Sequence, residues 1–162
     1  MHPLQSTIAQ TATLHLLKHY LLEASAAHTP DDHSKNALEL AQWLESQDKV
    51  KWVNYPGLKS SKYNDLSKKY LPKGQSGILT FGLNGGFEAA KKVANETKIF
   101  SLLANFGDSK SLIIHPSSTT HQQLNEDQQK STGVTSDLVR LSIGLEDPND
   151  LINDLKEAIK SI

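Results

Sequence analysis

The run SGILTFGL, Ser76 to Leu83, is short, rich in β-branched and aromatic residues, and fenced by glycines, so it reads as a strand. It passes directly into GGFEAAKKVANE, whose composition and apolar spacing are helical. The same switch recurs along the chain. SKNALELAQWLES carries Ala37, Leu40, Ala41 and Leu44 on one helical face and leads into the strand-like VKWVNYPGL. YNDLSKKYL reads as a short helix ended by Pro72 and Gly74. SLIIHP is a strand stopped by Pro116, NEDQQKSTG a small helix with Gly133 past its end, and LVRLSIGLE the last strand. PNDLINDLKEAIKSI closes the chain as a helix, with Leu151, Ile152, Leu155, Ala158 and Ile159 on one face. The order is a helix, then three or four strands each separated from the next by a helix. That order implies a small α+β layer fold. Upstream, TATLHLLKHYLLEASAAHTPDD places Leu14, Leu17, Leu21 and Leu22 at helical spacing, and Asp31, Asp32 and Ser34 offer caps for the helix that follows.

Composition narrows the function. At 162 residues the chain suits one domain burying roughly two thirds of its unfolded surface. The net charge is −1 and no basic stripe is interleaved with aromatics, which argues against nucleic acid. No apolar run is long enough to span a membrane. Cysteine is absent, removing disulfides and thiolate metal sites. The first residues lack a basic start with a compact apolar core, so a cytoplasmic protein is expected.

Most candidate motifs have a structural explanation. Gly85-Gly86 in FGLNGGFEAAKK suits a strand-to-helix turn, and no Gly-Lys-Ser/Thr follows to make a phosphate loop. His115 and His121 in HPSSTTH are too few for zinc, and the serines lack a nucleophile elbow. The acids of LEDPNDLINDLKE lie in a helix's first turns, where the helix dipole favours them. Lys62 in SSKY has nothing around it to depress its pKa.

Arg140 is different. Lys+Arg total 17, and Arg140 is the single arginine beside sixteen lysines. In a strand Leu138, Arg140 and Ser142 share one face while Val139, Leu141 and Ile143 form the core face. A planar five-donor fork matches a carboxylate in a way lysine cannot, so carboxylate recognition competes with a plain salt bridge to an acid such as Glu146 or Asp147.

HSKNALELAQWLE, VKWVNYPGL, YLPKGQSGILTFGL, LLANFGDSKSLIIHPSSTTHQQL and GVTSDLVRLSIGLEDPNDLINDLKEAI resemble, in that order, the C-terminal part of pyridoxal-phosphate enzymes of cysteine and methionine metabolism, the O-acetylhomoserine sulfhydrylase group above all. The resemblance covers residues 33–162 and implies the small domain of that family, a mostly antiparallel sheet covered by helices. Residues 1–32 depart from the family as a divergent helical segment. The resemblance further implies that Arg140 holds the substrate's α-carboxylate, that Asn105 of NFG lies in the same pocket, and that His115, Ser117, Thr119 and His121 shape the loop beside it. The family's Schiff-base lysine motif and phosphate site have no counterpart here, and Lys62 falls in the wrong place to replace it. Pyridoxal phosphate is thus implied by the family but not expected on this chain alone. No catalytic residue and no metal ligand is expected. The expectation is a C-terminal domain or truncated form of such an enzyme, inactive by itself. Alternatives are a complementing subunit of a split enzyme, or a non-catalytic protein that binds full-length relatives. Self-association or association with a family member is expected, and an amino-acid carboxylate would bind once a large domain is supplied.

Overall fold

A computed structural model describes residues 30–162 of the chain. Leu14, Leu17, Leu21 and Leu22, and with them most of the expected N-terminal helical segment, lie outside the described residues. Helix α1 runs Pro30–Glu45. It begins ahead of the expected caps, so Ser34 sits inside it, where its hydroxyl accepts the Ser76 N–H at 3.2 Å. The chain continues through β1 (Val50–Asn54), α2 (Asn64–Tyr70), β2 (Ile78–Leu83), α3 (Gly86–Glu96), β3 (Ser101–Leu102), β4 (Leu112–Ile114), a 3-10 turn (Pro116–Ser118), α4 (Glu126–Ser131), β5 (Leu138–Ser142) and α5 (Pro148–Lys160).

The sheet has five strands in the order β1-β2-β5-β4-β3. All pairs are antiparallel except β3 with β4, which is parallel. The fifth strand, beyond the three or four expected, is the two-residue β3, too short to show a period in sequence. β5 sits at the centre, with Leu141 opposite Leu79 on one side and Ile113 on the other. That row, with Phe81, Val139 and Ile143, is buried against Leu40 and Leu44 of α1, Ala90 and Val93 of α3, and Leu151 and Leu155 of α5. A fully buried leucine or phenylalanine contributes about 1.5–3 kcal/mol, so this one seam dominates the fold's stability. The alternation that fills it sends Thr80, Arg140 and Ile114, which are also in register, to the opposite face.

Local chemistry sets the turns. Gly85 and Gly86 have φ of 99° and 65°, a left-handed pair that lets β2 turn straight into α3. Asp147 caps α5, its carboxylate accepting the Asn149 N–H at 2.8 Å, and Pro148 takes the first helical position. Asp154, about two helical turns further on, accepts the N–H groups of Lys98 (2.9 Å) and Ile99 (2.8 Å) and so ties the turn after α3 to α5. Among the described residues no helix is long and apolar enough to cross a membrane.

Candidate functional site

Arg140 projects from the central strand on the face away from the three long helices. Its side chain is half-buried, and Nη2 donates to the backbone carbonyl of Asn105 at 3.2 Å. Glu146 and Asp147, the acids that a plain salt bridge would use, are both engaged elsewhere. Glu146 accepts the Ser111 N–H at 2.9 Å and the Ser111 hydroxyl at 2.8 Å, and Asp147 caps α5. Among the described residues Arg140 has no ion pair. A guanidinium this enclosed, with one donor spent on a carbonyl, keeps the rest of its fork for an incoming acceptor.

Asn105 lies on the loop between β3 and β4, and the loop is pinned to the exit of β5. Leu145 N–H donates to the Ser109 carbonyl at 2.8 Å, and Gly144 N–H to the Ser111 hydroxyl at 2.8 Å. Asn36 of α1 holds the same exit from beneath, reaching the carbonyls of Gly144 (3.2 Å) and Glu146 (3.1 Å). The structure therefore brings Arg140 and Asn105 together through main chain as much as side chain.

The HPSSTTH loop follows β4, next to Ile114, the strand partner of Arg140. His115 is buried, edge-on to Phe87 with ring centroids 4.8 Å apart. Nε2 faces the Ser136 carbonyl at 2.9 Å and Nδ1 the Ser118 hydroxyl at 2.8 Å. Burial pushes its pKa below the usual histidine range, and nearby Lys91 works the same way. The Ser136 carbonyl and Glu88 oppose them without prevailing. The imidazole is accordingly neutral with its proton on Nε2, a structural strut with no free nitrogen for chemistry. Thr119 closes the loop on itself, its hydroxyl donating to the His115 carbonyl at 2.8 Å. His121 meets the Thr120 hydroxyl through Nδ1 at 2.8 Å.

Gln129 was not legible as part of this assembly, yet it holds the loop together. It accepts the Ser117 hydroxyl at 2.5 Å and donates to the carbonyls of His121 (2.9 Å) and Leu124 (3.2 Å). The sequence signal nearby, the Asn125…Gln128 capping box, marks the helix start and says nothing of position 129. A cleft of about 840 Å³ opens between α3, this loop and α4. Neither Arg140 nor Asn105 lines it.

Residues 30–160 match the family model for Cys/Met metabolism PLP-dependent enzymes. The chain belongs to that family. It is 53% identical over 131 residues to the O-acetyl-L-homoserine sulfhydrylase of Leptospira meyeri, covering 80% of this chain and 30% of that protein. It is 50% identical to O-acetyl-L-homoserine sulfhydrylase 1 of Thermus thermophilus, covering 78% and 30%, and 47% identical to the homocysteine synthase of Schizosaccharomyces pombe, covering 79% and 30%. The crystal structure of an O-acetylhomoserine (thiol)-lyase from Campylobacter jejuni carrying N'-pyridoxyl-lysine-5'-monophosphate superposes with a TM-score of 0.75 at 48% identity, over 81% of this chain and 31% of that one. The chain thus spans about 30% of the length of the curated relatives it matches.

Family members are pyridoxal-phosphate-dependent. The described residues of this chain do not fit the covalent attachment of that cofactor. Every described lysine is exposed except Lys49, which is half-buried and spends its ammonium on the carbonyls that end α5, Ile159 at 3.1 Å among them. Lys62 is exposed and lies over the Tyr63 ring, 4.9 Å from its centroid. Among the described residues no group of three or more histidines and acids is placed to hold a metal.

Proposed function

We propose that this chain furnishes the substrate-carboxylate side of an O-acetylhomoserine sulfhydrylase-type active site, with Arg140 as the clamp and Asn105 beside it. The observation that carries this is the orientation of Arg140. The chain's one arginine is half-buried, fixed by the Asn105 carbonyl, and has no ion pair among the described residues. In the reaction assigned on this reading, acetate leaves O-acetylhomoserine and sulfide or a thiol adds at the same carbon. Arg140 would bind the amino-acid carboxylate through two parallel N–H donors and set the distance of the reacting carbon from the rest of the site. Hydrogen bonds to a charged group are worth about 1.5–3 kcal/mol, well below the ~8 kcal/mol or more that catalysis requires. The clamp therefore positions substrate, and the electron sink and the proton-moving lysine belong to the part that matches the remaining length of the relatives. On this reading the chain acts in the cytosol and works only in association with such a cofactor-bearing part.

The test is Arg140→Lys in an assay reconstituted with the cofactor-binding portion of a relative. The cationic stem is kept, so stability changes by less than about 0.5 kcal/mol. The planar fork is lost, so the apparent KM for O-acetylhomoserine rises about 10-fold to 100-fold. An unchanged KM would refute the clamp.

A further inference from the structure

Glu146 is half-buried and forms no ion pair among the described residues. Both of its carboxylate oxygens face one neutral residue. Oε1 accepts the Ser111 N–H at 2.9 Å, and Oε2 accepts the Ser111 hydroxyl at 2.8 Å. Ser111 is fully buried and joined on every side. Its hydroxyl also accepts the Gly144 N–H at 2.8 Å, and its carbonyl accepts the Ser101 N–H at 3.0 Å. Glu146 is itself fastened to α1, since Asn36 donates to its carbonyl at 3.1 Å. Hydrogen bonds to an ionised acceptor are roughly twice as strong as neutral ones, and two of them on a single residue fix its direction as well as its distance.

Ser111 ends the loop of residues 103–111, and the middle of that loop has no comparable anchor. From Ala104 to Gly107 the one hydrogen bond among the described residues is the Asn105 carbonyl accepting Arg140 Nη2 at 3.2 Å. The later part is held firmly. Leu145 N–H donates to the Ser109 carbonyl at 2.8 Å, and Asp108 accepts the Lys110 N–H at 3.0 Å. The place of the Asn105 carbonyl is therefore inherited from residues 108–111, and theirs from Glu146 and Gly144. Glu146 reaches Arg140 through Ser111, the loop and Asn105, with no ion pair between the two side chains.

We propose that Glu146 is a positioning residue of the carboxylate clamp, and that the reach of its side chain sets the direction of the Arg140 fork. The effect on substrate rests on the clamp reading above, whereas the direction of the fork is measurable in the full chain alone. Arg140 is the single arginine, so its guanidinium resonances stand out in a heteronuclear NMR spectrum. The Asn105 bond makes the two Nη groups inequivalent and slows rotation about the Nε–Cζ bond. Glu146→Asp keeps the charge but is one methylene too short for the Ser111 contacts. Glu146→Gln loses the charge but keeps the length, its oxygen serving the Ser111 N–H and its amide donating to the Ser111 hydroxyl. Rotation should be at least about 5-fold faster in Glu146→Asp, the loss of one net hydrogen bond, and within about 2-fold of the parent chain in Glu146→Gln. The β5 amide resonances should stay in place in both variants, which shows the fold intact. Ser111→Ala should match Glu146→Asp, and it decides the matter if that variant does not fold. Rotation unchanged in Glu146→Asp would overturn the proposal, and a change in Glu146→Gln alone would do so by making the effect one of charge. Release in both variants supports it, the ionised acceptor then being needed as well as its reach. The Arg140→Lys assay judges the clamp separately. A raised KM there with unchanged rotation in Glu146→Asp keeps the clamp and removes this role from Glu146. An unchanged KM with faster rotation refutes the clamp and leaves Glu146 as the residue that orients Arg140.

Discussion

Replacing Gly144 with alanine should cost more than any backbone preference explains. Gly144 is absent from the positive-φ residues, so its need for glycine is steric. A Cβ there would fall 2.3 Å from the Ser109 carbonyl oxygen, 2.6 Å from Glu146 Oε2 and 2.7 Å from the Lys110 carbonyl carbon. Two of these three are main chain, so relief requires the 109–110 segment to retreat by about 1 Å, since ordinary contacts begin near 3.4 Å. Overpacking of this kind costs about 1–3 kcal/mol. The retreat also breaks the Leu145 to Ser109 bond (2.8 Å) and the Gly144 to Ser111 bond (2.8 Å), each worth about 0.5–1.5 kcal/mol. Alanine returns about 0.4–1 kcal/mol by stiffening the unfolded chain. The net is about 3 kcal/mol. In urea unfolding, with a slope near 1.5 kcal/mol/M, the midpoint should fall by about 2 M at unchanged slope. Gly133→Ala is the comparison, with φ of 82° and nothing within 4 Å of its would-be Cβ, and it should cost only about 1–2 kcal/mol of left-handed strain. A Gly144→Ala loss at or below that of Gly133→Ala would show that the 109–110 segment yields freely, and the reasoning would fail.

Asp154→Asn removes the charge that gathers the Lys98 and Ile99 N–H groups, so it should destabilise by about 1–2 kcal/mol, and amide exchange at Ile99 should quicken before that of the β5 amides. His115 has a folded pKa below its ordinary value of about 6.5, so the unfolded state binds the extra proton. Its contribution is full above pH 6.5 and is lost as pH falls below it. Melting temperature should drop between pH 7 and 5, and His115→Gln should flatten that drop; an equally steep profile in the variant would refute the assignment.

Much of this fold is written in residue spacing. β2 and β5 are legible because they are short, strand-forming runs whose core faces carry large apolar residues, and α5 because its cap, proline and apolar stripe agree. What escapes the sequence is set by tertiary contact. β3 exists because Ser101 and Leu102 align with β4, and two residues carry no period. Ser76 takes φ of 116°, a conformation that favours glycine, because its N–H meets the Ser34 hydroxyl and its carbonyl the buried Tyr55 hydroxyl at 2.9 Å. α2 reads as an ordinary short helix, and only its docking through Asn64 and Ser67 shows that the polar side faces inward.

The candidate site divides along the same line. That Arg140 would leave the core face follows from the period of β5, and that it could take a carboxylate follows from its chemistry. Its aim does not follow from either, because the group that fixes it is the main-chain carbonyl of Asn105, which every residue possesses. That carbonyl stands where it does because the loop bearing it is drawn onto the β5 exit by Ser109, Ser111 and Glu146, with no Cβ on Gly144 to hold it off. Just past the end of the strand that carries the arginine, four residues on from it, lies the bare backbone against which the arginine's guide is packed. Side-chain identity makes Arg140 the proposed clamp, and backbone proximity orients its guanidinium, so a change at Gly144 reaches Arg140 without touching it.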